Sequence, residues 1–137
     1  MLRKLLILCL ALVCWGSAAA QQRDRKQAMT SKADSTVVSL DRSAHDFGEI
    51  RRRGGDVTAD FVLTNRGKQP LVVVQVVTTC SCLKADYSRK PIAPGAQSTI
   101  RLRYEPHKAD PGTFYKVVKI YTNAGRLLVT LQGNSIE

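Results

Sequence analysis

Cys80 and Cys82 are the residues whose type and spacing most directly suggest chemistry. They follow a valine-rich stretch and are separated by Ser81 alone. Side chains at positions i and i+2 of a strand leave the backbone on the same face, so the two sulfur atoms start side by side. In an extended chain their Cα atoms would lie about 7 Å apart, at the outer limit for a disulfide. A bond between them therefore requires the chain to turn around Ser81.

Three uses of this cysteine pair are consistent with the sequence: a local structural disulfide, a metal or redox-exchange site, and pairing with another chain. Two thiolates suit Cu(I), but no Met or His stands nearby in the sequence to complete such a site. Lasting free thiols are least expected in an oxidising compartment. We predict a local disulfide between Cys80 and Cys82 and no cofactor. Metal binding or disulfide exchange through the same pair is the alternative function.

The compartment follows from the first twenty residues, which have the parts of an export signal. Two basic residues precede an apolar run from Leu5 to Trp15, and three alanines end at Ala20. The run is shorter than the roughly 20 residues that span a bilayer. We predict cleavage between Ala20 and Gln21 and a periplasmic or cell-envelope location. An uncleaved anchor and a lipid-modified Cys14 are the alternatives.

Signal removal leaves a chain of one-domain size. About 117 of the 137 residues remain, enough for one hydrophobic core. The net charge falls from +10 to about +8, and two of the four cysteines are lost with the signal. Residues 21–35 are polar and nearly without large apolar side chains, which predicts a flexible leader. The folded domain is therefore predicted to span residues 36–137.

Within that domain the hydrophobic pattern is typical of strands. Val57–Asn65 and Ser98–Tyr104 alternate between apolar and polar residues, and turn signals containing Gly, Pro or Asn separate such stretches. Leu71–Val77 is almost continuously apolar, which predicts a central strand covered on both faces. About seven strands over roughly 100 residues fit an all-β, antiparallel β-sandwich. The strands are predicted near Val37–Leu40, His45–Ile50, Val57–Asn65, Leu71–Thr78, Ser98–Tyr104, Tyr115–Thr122 and Leu127–Gly133.

The same alternation predicts the core. We expect Phe47 to fill part of it, while Gly48 permits a bulge or the close approach of a neighbouring strand. Asn65 and Asn123 each end a strand before a turn that contains glycine, so both are interpreted as turn residues. The predicted core residues are Phe47, Val57, Phe61, Leu63, Val73, Ile100, Leu102, Val118, Ile120, Val129 and Leu131.

The remaining polar residues do not predict an enzyme. His45 and His107 are the only histidines, and each has an aspartate nearby in the sequence, Asp46 or Asp110. A catalytic site needs a nucleophile, a base and an orienting group that converge in space, and nothing in the spacing indicates convergence. Phosphate-binding, zinc-protease and serine-hydrolase motifs are absent from the sequence. We therefore predict no catalytic and no metal-binding residues.

Arg51, Arg52 and Arg53 form the densest basic run of the sequence. With the positive net charge, they favour an anionic partner such as a membrane surface. A solvated hairpin tip is the simpler interpretation. Nucleic acid is not expected, because an exported protein rarely meets it and no basic strand carries interleaved aromatic residues.

Several motifs occur in an order that resembles one family, over about 90 residues from Asp41 onward. They are His45 to Ile50, Phe61 to Gly67, Pro70 to Val73, Cys80 to Cys82, Pro91 to Gly95, Gly112 to Lys116, and Thr122 with Asn123. The chain resembles the bacterial secreted domain of unknown function 1573 family. That resemblance implies an immunoglobulin-like sandwich, related to domains of cilia- and centrosome-associated proteins, and an envelope location. It implies no reaction. Ser81 stands where the family usually has Gly.

We accordingly expect a non-catalytic, exported immunoglobulin-like module that acts as a protein-binding or structural component of the cell envelope. Sandwich edges expose unpaired backbone groups that can accept a strand from a partner. The expected partner is an envelope protein that the sequence does not identify.

Overall fold

Eight strands and one short 3-10 helix form residues 37–137, the part of the chain that the computed structural model describes. The predicted signal peptide (1–20), its cleavage site and the predicted leader (21–35) lie outside the described residues. Within residues 37–137, no helix is long and apolar enough to cross a membrane. The helix spans Pro106–Lys108, and the strands are β1 Val38–Leu40, β2 Ala44–Arg51, β3 Val57–Asn65, β4 Val73–Val77, β5 Leu83–Asp86, β6 Gln97–Tyr104, β7 Gly112–Thr122 and β8 Gly125–Ile136.

The strands form two four-stranded sheets, which confirms the predicted β-sandwich. Sheet I has the order β1-β3-β6-β5 and sheet II the order β2-β8-β7-β4. The pairs are antiparallel except for β2 and β8, which run parallel. The chain thus begins in sheet I with β1 and crosses immediately to the edge of sheet II.

The sequence predicted one strand too few. Leu83–Asp86 was not among the predicted strands, but it forms β5 and pairs with β6. Leu83 is buried, whereas Lys84 and Asp86 are exposed. Four residues with a single large apolar side chain give too short a pattern to identify a strand. This segment is a strand because it pairs with β6, and its local sequence pattern alone does not indicate that.

The prediction of a central strand at Leu71–Val77 was wrong. Strand β4 starts at Val73 and lies at the edge of sheet II, where β7 is its one partner strand among residues 37–137. Burial of one face explains part of its apolar character, since Val73 is 1% exposed and Val76 packs against the core. A continuous apolar run indicates burial but does not determine how many strands flank it.

The predicted core is largely confirmed. Nine of the eleven predicted residues are buried, and Phe47 and Val57 are partly buried and pack against the others. Tyr104, which we did not predict, is fully buried, and its ring stacks on Phe114 with centroids 4.3 Å apart.

Phe47 and Gly48 occupy an irregularity in β2. The register between β2 and β8 shifts between Asp46 and Glu49, and Gly48 has a φ of 65°. Glycine adopts such a positive φ without steric cost. The shift lets Phe47 turn toward Tyr104, with ring centroids 6.4 Å apart. The bulge and the packing role predicted for this pair are both present.

Candidate functional sites

Cys80 and Cys82 lie in the turn that connects β4 to β5. The N–H of Leu83 donates to the carbonyl oxygen of Cys80 at 3.1 Å, which closes a tight turn around Ser81. This turn brings the Cα atoms of the two cysteines to 5.1 Å and places their sulfur atoms together as a disulfide. The backbone therefore has the bend that the spacing requires. That the bond forms in the exported protein stays a prediction.

The two cysteines differ in exposure. Cys82 is 0% exposed, whereas Cys80 is partly exposed. The N–H of Cys82 points at Cys80 Sγ at 3.1 Å, and the carbonyl oxygen of Cys82 accepts from the N–H of Glu105 at 2.8 Å. Cys82 is thus fixed against the end of β6. This bond extends the β5–β6 pairing of sheet I by one residue, just after the chain has left sheet II.

Each histidine lies beside a charged side chain. His45 Nδ1 lies 3.0 Å from an Arg42 guanidinium nitrogen, and its ring packs edge-on against Phe47. His107 Nδ1 lies 3.8 Å from an Asp56 oxygen rather than next to the predicted Asp110. Across residues 37–137, no three His, Cys, Asp or Glu side chains cluster closely enough to hold a metal ion.

A buried carboxylate that the sequence analysis missed lies at the end of β6. The side chain of Glu105 is 7% exposed and forms ion pairs with Lys108 and, at 3.7 Å, with Arg103. The hydrogen bond from Lys108 holds the pKa of Glu105 below its ordinary value, against the opposing effect of burial. This carboxylate anchors the 3-10 helix to the sheet, which is a structural role.

The three arginines that we predicted to contact an anionic partner have different surroundings. Arg51 and Arg53 are exposed at the turn between β2 and β3. Arg52 instead donates to Glu137 Oε1 at 3.0 Å, and its backbone N–H donates to the carbonyl oxygen of Ile136. Two guanidinium groups thus face solvent, while the third joins this turn to the last strand. Contact with an anionic membrane surface stays a prediction.

A groove on the outer face of sheet II was not predicted. Tyr115, Gln132 and Asp46 are cross-strand neighbours on β7, β8 and β2, so they form one row across three strands. Together with Asn134 and Thr113 they line an open cavity of about 370 Å³. The sequence offered only a weak signal, the outward position of Tyr115 in an alternating strand.

Hydrogen bonds fix the acidic end of this row. Gln132 Nε2 donates to Asp46 Oδ2 at 2.8 Å, and the N–H of Gly48 donates to Asp46 Oδ1 at 2.7 Å. These two bonds, the first being the stronger influence, hold the pKa of Asp46 below its ordinary value. The carboxylate is consequently ionised at neutral pH and held at one orientation.

The free edge of β4 is the second candidate surface. Four of its five residues are valines, and the remaining residue, Gln75, is exposed. The outward backbone groups of an edge strand have no ladder partner and can pair with another chain. β4 carries no charged side chain, the feature by which edge strands commonly avoid such pairing.

A family model described as "Protein of unknown function (DUF1573)" matches residues 38–135. The match covers nearly all of the described residues and includes both cysteines and the groove. No curated protein matches the chain.

Solved structures share the fold. A protein of unknown function from Porphyromonas gingivalis superposes with a TM-score of 0.63 at 23% identity, covering 78% of this chain and 48% of that one. This chain therefore spans about half of that protein's length. A PapD-like domain of human CEP192 gives a TM-score of 0.63 at 12% identity, covering 74% of this chain and 87% of the domain. The Vibrio cholerae protease VesB gives a TM-score of 0.58 at 12% identity, covering 73% of this chain and 32% of that one. At these identities the likeness concerns the fold alone.

Proposed function

Because the chain belongs to the DUF1573 family of proteins of unknown function, and because its sandwich has an uncharged edge strand, we propose that it is a non-catalytic, protein-binding module of the bacterial cell envelope. The partner adds a strand to sheet II at β4. The observation that carries this proposal is the valine-rich free edge of β4.

The other edge strands are less suited to accept a partner. β1 has only three residues, and β5 has four, of which Lys84 and Asp86 are charged and exposed. β2 is interrupted by the bulge at Gly48. Short length, charge and bulges are the features that protect edges from pairing. β4 has an irregularity as well, but it lies between Val73 and Gln75 and leaves the end of the strand regular.

Strand addition at β4 supplies both affinity and selectivity. The backbone hydrogen bonds provide the affinity, and alternate side chains of the incoming strand contact the faces of the sheet. On the outer face, Val77 is the cross-strand neighbour of Lys119, and both are partly exposed. An incoming strand with small apolar residues at alternate positions fits this edge best.

A photo-crosslinking experiment in intact cells tests the binding proposal. A photoreactive amino acid replaces Gln75 in β4, and the matched control carries it at Lys84, an exposed position on the edge of the other sheet. We expect one discrete crosslinked species from position 75 and none from position 84. Introducing Val76→Pro, which removes a backbone N–H from β4, should abolish the species. Equal crosslinking from both positions would overturn the proposal.

The alternative, a function that depends on Cys80 and Cys82, predicts a different outcome. Replacing both cysteines with serine should leave crosslinking at position 75 unchanged if the module acts by strand addition. Loss of crosslinking in a double variant that still folds would favour the thiol-dependent function.

Export is tested separately, by fractionation and N-terminal sequencing of the expressed full chain. We expect a soluble periplasmic or envelope fraction whose protein begins at Gln21. Recovery in the cytoplasmic fraction with an intact N-terminus would overturn the envelope location.

A further inference from the structure

The groove on the outer face of sheet II has features that strand addition at β4 does not use. Its defining row consists of Tyr115, Gln132 and Asp46, which lie on three successive strands. Adjacent strands are about 4.8 Å apart, so the row spans roughly 10 Å. Tyr115 is 64% exposed, more than any other large hydrophobic side chain among residues 37–137.

The row points away from the core because its neighbours along the chain point inward. Phe114 is 8% exposed, and Leu131 is fully buried. Alternation then directs Tyr115 and Gln132 to the opposite face. At 64% exposed, the ring of Tyr115 gains little burial within this domain. It is available to contact a ligand.

The polar groups of the groove are partly fixed and partly free. Asp46 is held by Gln132 and by the N–H of Gly48. Among the described residues, Gln132 Oε1 and the side chain of Asn134 form no hydrogen bonds. The groove therefore presents a fixed carboxylate, which accepts only, beside amide groups that both donate and accept.

Two glycines give the groove its shape. At Gly133 a side chain would clash, since a Cβ atom there would lie 2.8 Å from Phe114 Cζ and 3.0 Å from the carbonyl oxygen of Gly48. The absence of that atom lets Phe114 pack directly beneath the backbone. The result is a shallow apolar floor with polar walls, a combination that favours a ligand with both apolar and hydroxyl surfaces.

A pyranose ring has these two kinds of surface. Its C–H groups form an apolar face that stacks on an aromatic ring, and the hydroxyl groups at its edge both donate and accept hydrogen bonds. Among the described residues that line the groove, Asp46 is the one with a charged side chain, and it is negative. Repulsion by this carboxylate disfavours acidic sugars and phosphates.

An extended peptide fits this groove less well. On the side of β2, the adjacent edge strand, such a peptide would meet a register that shifts between Asp46 and Glu49. The positive φ of Gly48 interrupts the row of outward backbone groups at the same place. A regular ladder of hydrogen bonds cannot form across such a bulge.

We propose that this groove binds a neutral oligosaccharide, with the ring of Tyr115 stacked on one sugar unit and with Asp46 and Gln132 accepting and donating hydrogen bonds to its hydroxyl groups. The proposal is independent of strand addition at β4. It would give the module a second ligand of a different chemical class.

Titration of the purified protein with defined tetrasaccharides tests the proposal, using nuclear magnetic resonance and calorimetry. The neutral probes are the β-1,4-linked N-acetylglucosamine tetramer, cellotetraose and maltotetraose, and a galacturonic acid tetramer is the charged control. We expect at least one neutral probe to bind and to shift the backbone resonances of Tyr115 and Gln132, while the acidic probe does not. Absence of binding by all three neutral probes up to about 10 mM, where weak affinities are still measurable, would overturn the proposal.

Variants locate the site. Tyr115→Ala should weaken binding of the neutral probe by about tenfold or more, because the stacking surface is lost. The matched control is Tyr121→Ala, which removes the other tyrosine on the outer face of β7, next to Arg126 rather than Gln132. We expect its affinity to stay within about twofold of the wild type. Gln132→Ala provides a second test at the polar wall and should also weaken binding.

Three results would contradict the assignment: unchanged affinity in Tyr115→Ala, equal losses in the two tyrosine variants, or shifts that map away from the groove. Displacement of the sugar by an extended peptide that binds at β2 would replace the saccharide with a protein ligand and would also overturn it.

Discussion

Asn65 and Asn123 hold opposite ends of the same crossover. Residues 69–72 carry the chain from sheet I to sheet II, and Asn65 Nδ2 donates to the carbonyl oxygen of Gln69 at 2.8 Å. Asn123 Oδ1 accepts from the N–H of Val72 at 2.9 Å. Both asparagines were interpreted as turn residues, and Asn123 also fixes a segment that is 51 residues away in the sequence. The crossover thereby positions the start of β4, the proposed binding edge.

The two asparagines should differ in their contribution to stability. Asn65 is fully buried, and its Nδ2 also donates to the carbonyl oxygen of Ile92 at 2.8 Å. Asn65→Ala would remove these two hydrogen bonds and the one that Asn65 Oδ1 accepts from the N–H of Gly67, so we expect a loss of about 2 to 3 kcal/mol in the free energy of unfolding. Asn123 is exposed, so Asn123→Ala should cost about 1 kcal/mol or less. Urea unfolding measures both, and equal losses would contradict the argument.

Phe61 tests the register of the sandwich. It is 0% exposed in β3, opposite Ile100 of β6. Phe61→Ala should lower the free energy of unfolding by about 3 to 5 kcal/mol, the range for emptying a large aromatic site. The adjacent Val62 faces the other side of the sheet, so Val62→Ala is the matched control and should cost clearly less. A loss below about 1 kcal/mol at Phe61 would mean that the strand is shifted by one residue.

His45 predicts a dependence of stability on pH. Burial, followed by the charge of Arg42, holds the pKa of His45 below its ordinary value of 6.5, while Asp46 has the opposite effect. The unfolded chain therefore binds more protons at this position than the folded protein. The contribution of this pKa shift to the free energy of unfolding is fully present above about pH 7. It is lost as the pH falls through 6.5 toward the pKa of His45 in the folded protein.

Unfolding measured between about pH 7 and pH 5.5 checks this dependence, because aspartates and glutamates titrate mainly below that window. We expect His45→Gln to flatten the decline in stability. A decline of the same slope in His45→Gln and in the wild type would rule out His45 as its source.

The state of Cys80 and Cys82 is directly measurable by intact mass and thiol alkylation of the exported protein. We expect a monomer two protons lighter than its reduced form, with both cysteines resistant to alkylation until a reductant is added. Full alkylation of both cysteines without reductant would show that the local disulfide is absent. A dimer that reductant converts to monomer would indicate pairing between chains instead.

Much of this architecture was predictable from local pattern. The alternation of apolar and polar residues identified β3 and β6 within one residue of their ends, and it identified most of the core. This works because side chains on a strand alternate between faces, so burial of one face leaves a period of two in the sequence. The positions of Gly48 and Asn65 were predictable for a related reason, since few residue types suit a bulge or a tight turn.

The sequence by itself determined seven of the eight strands, most of the core, the family resemblance and the close sequence spacing of Cys80 and Cys82. Only the tertiary structure decided which strands lie at the edges and which outward side chains become neighbours. The sequence pattern of β4 predicted a central strand, but β4 lies at an edge. Tyr115 and Asp46 flank Gln132 of β8 on either side although they are far apart in the sequence. The physical reason is that strand order and register arise from pairing between distant segments. A local pattern records which face of a strand is buried but not which strand lies beside it.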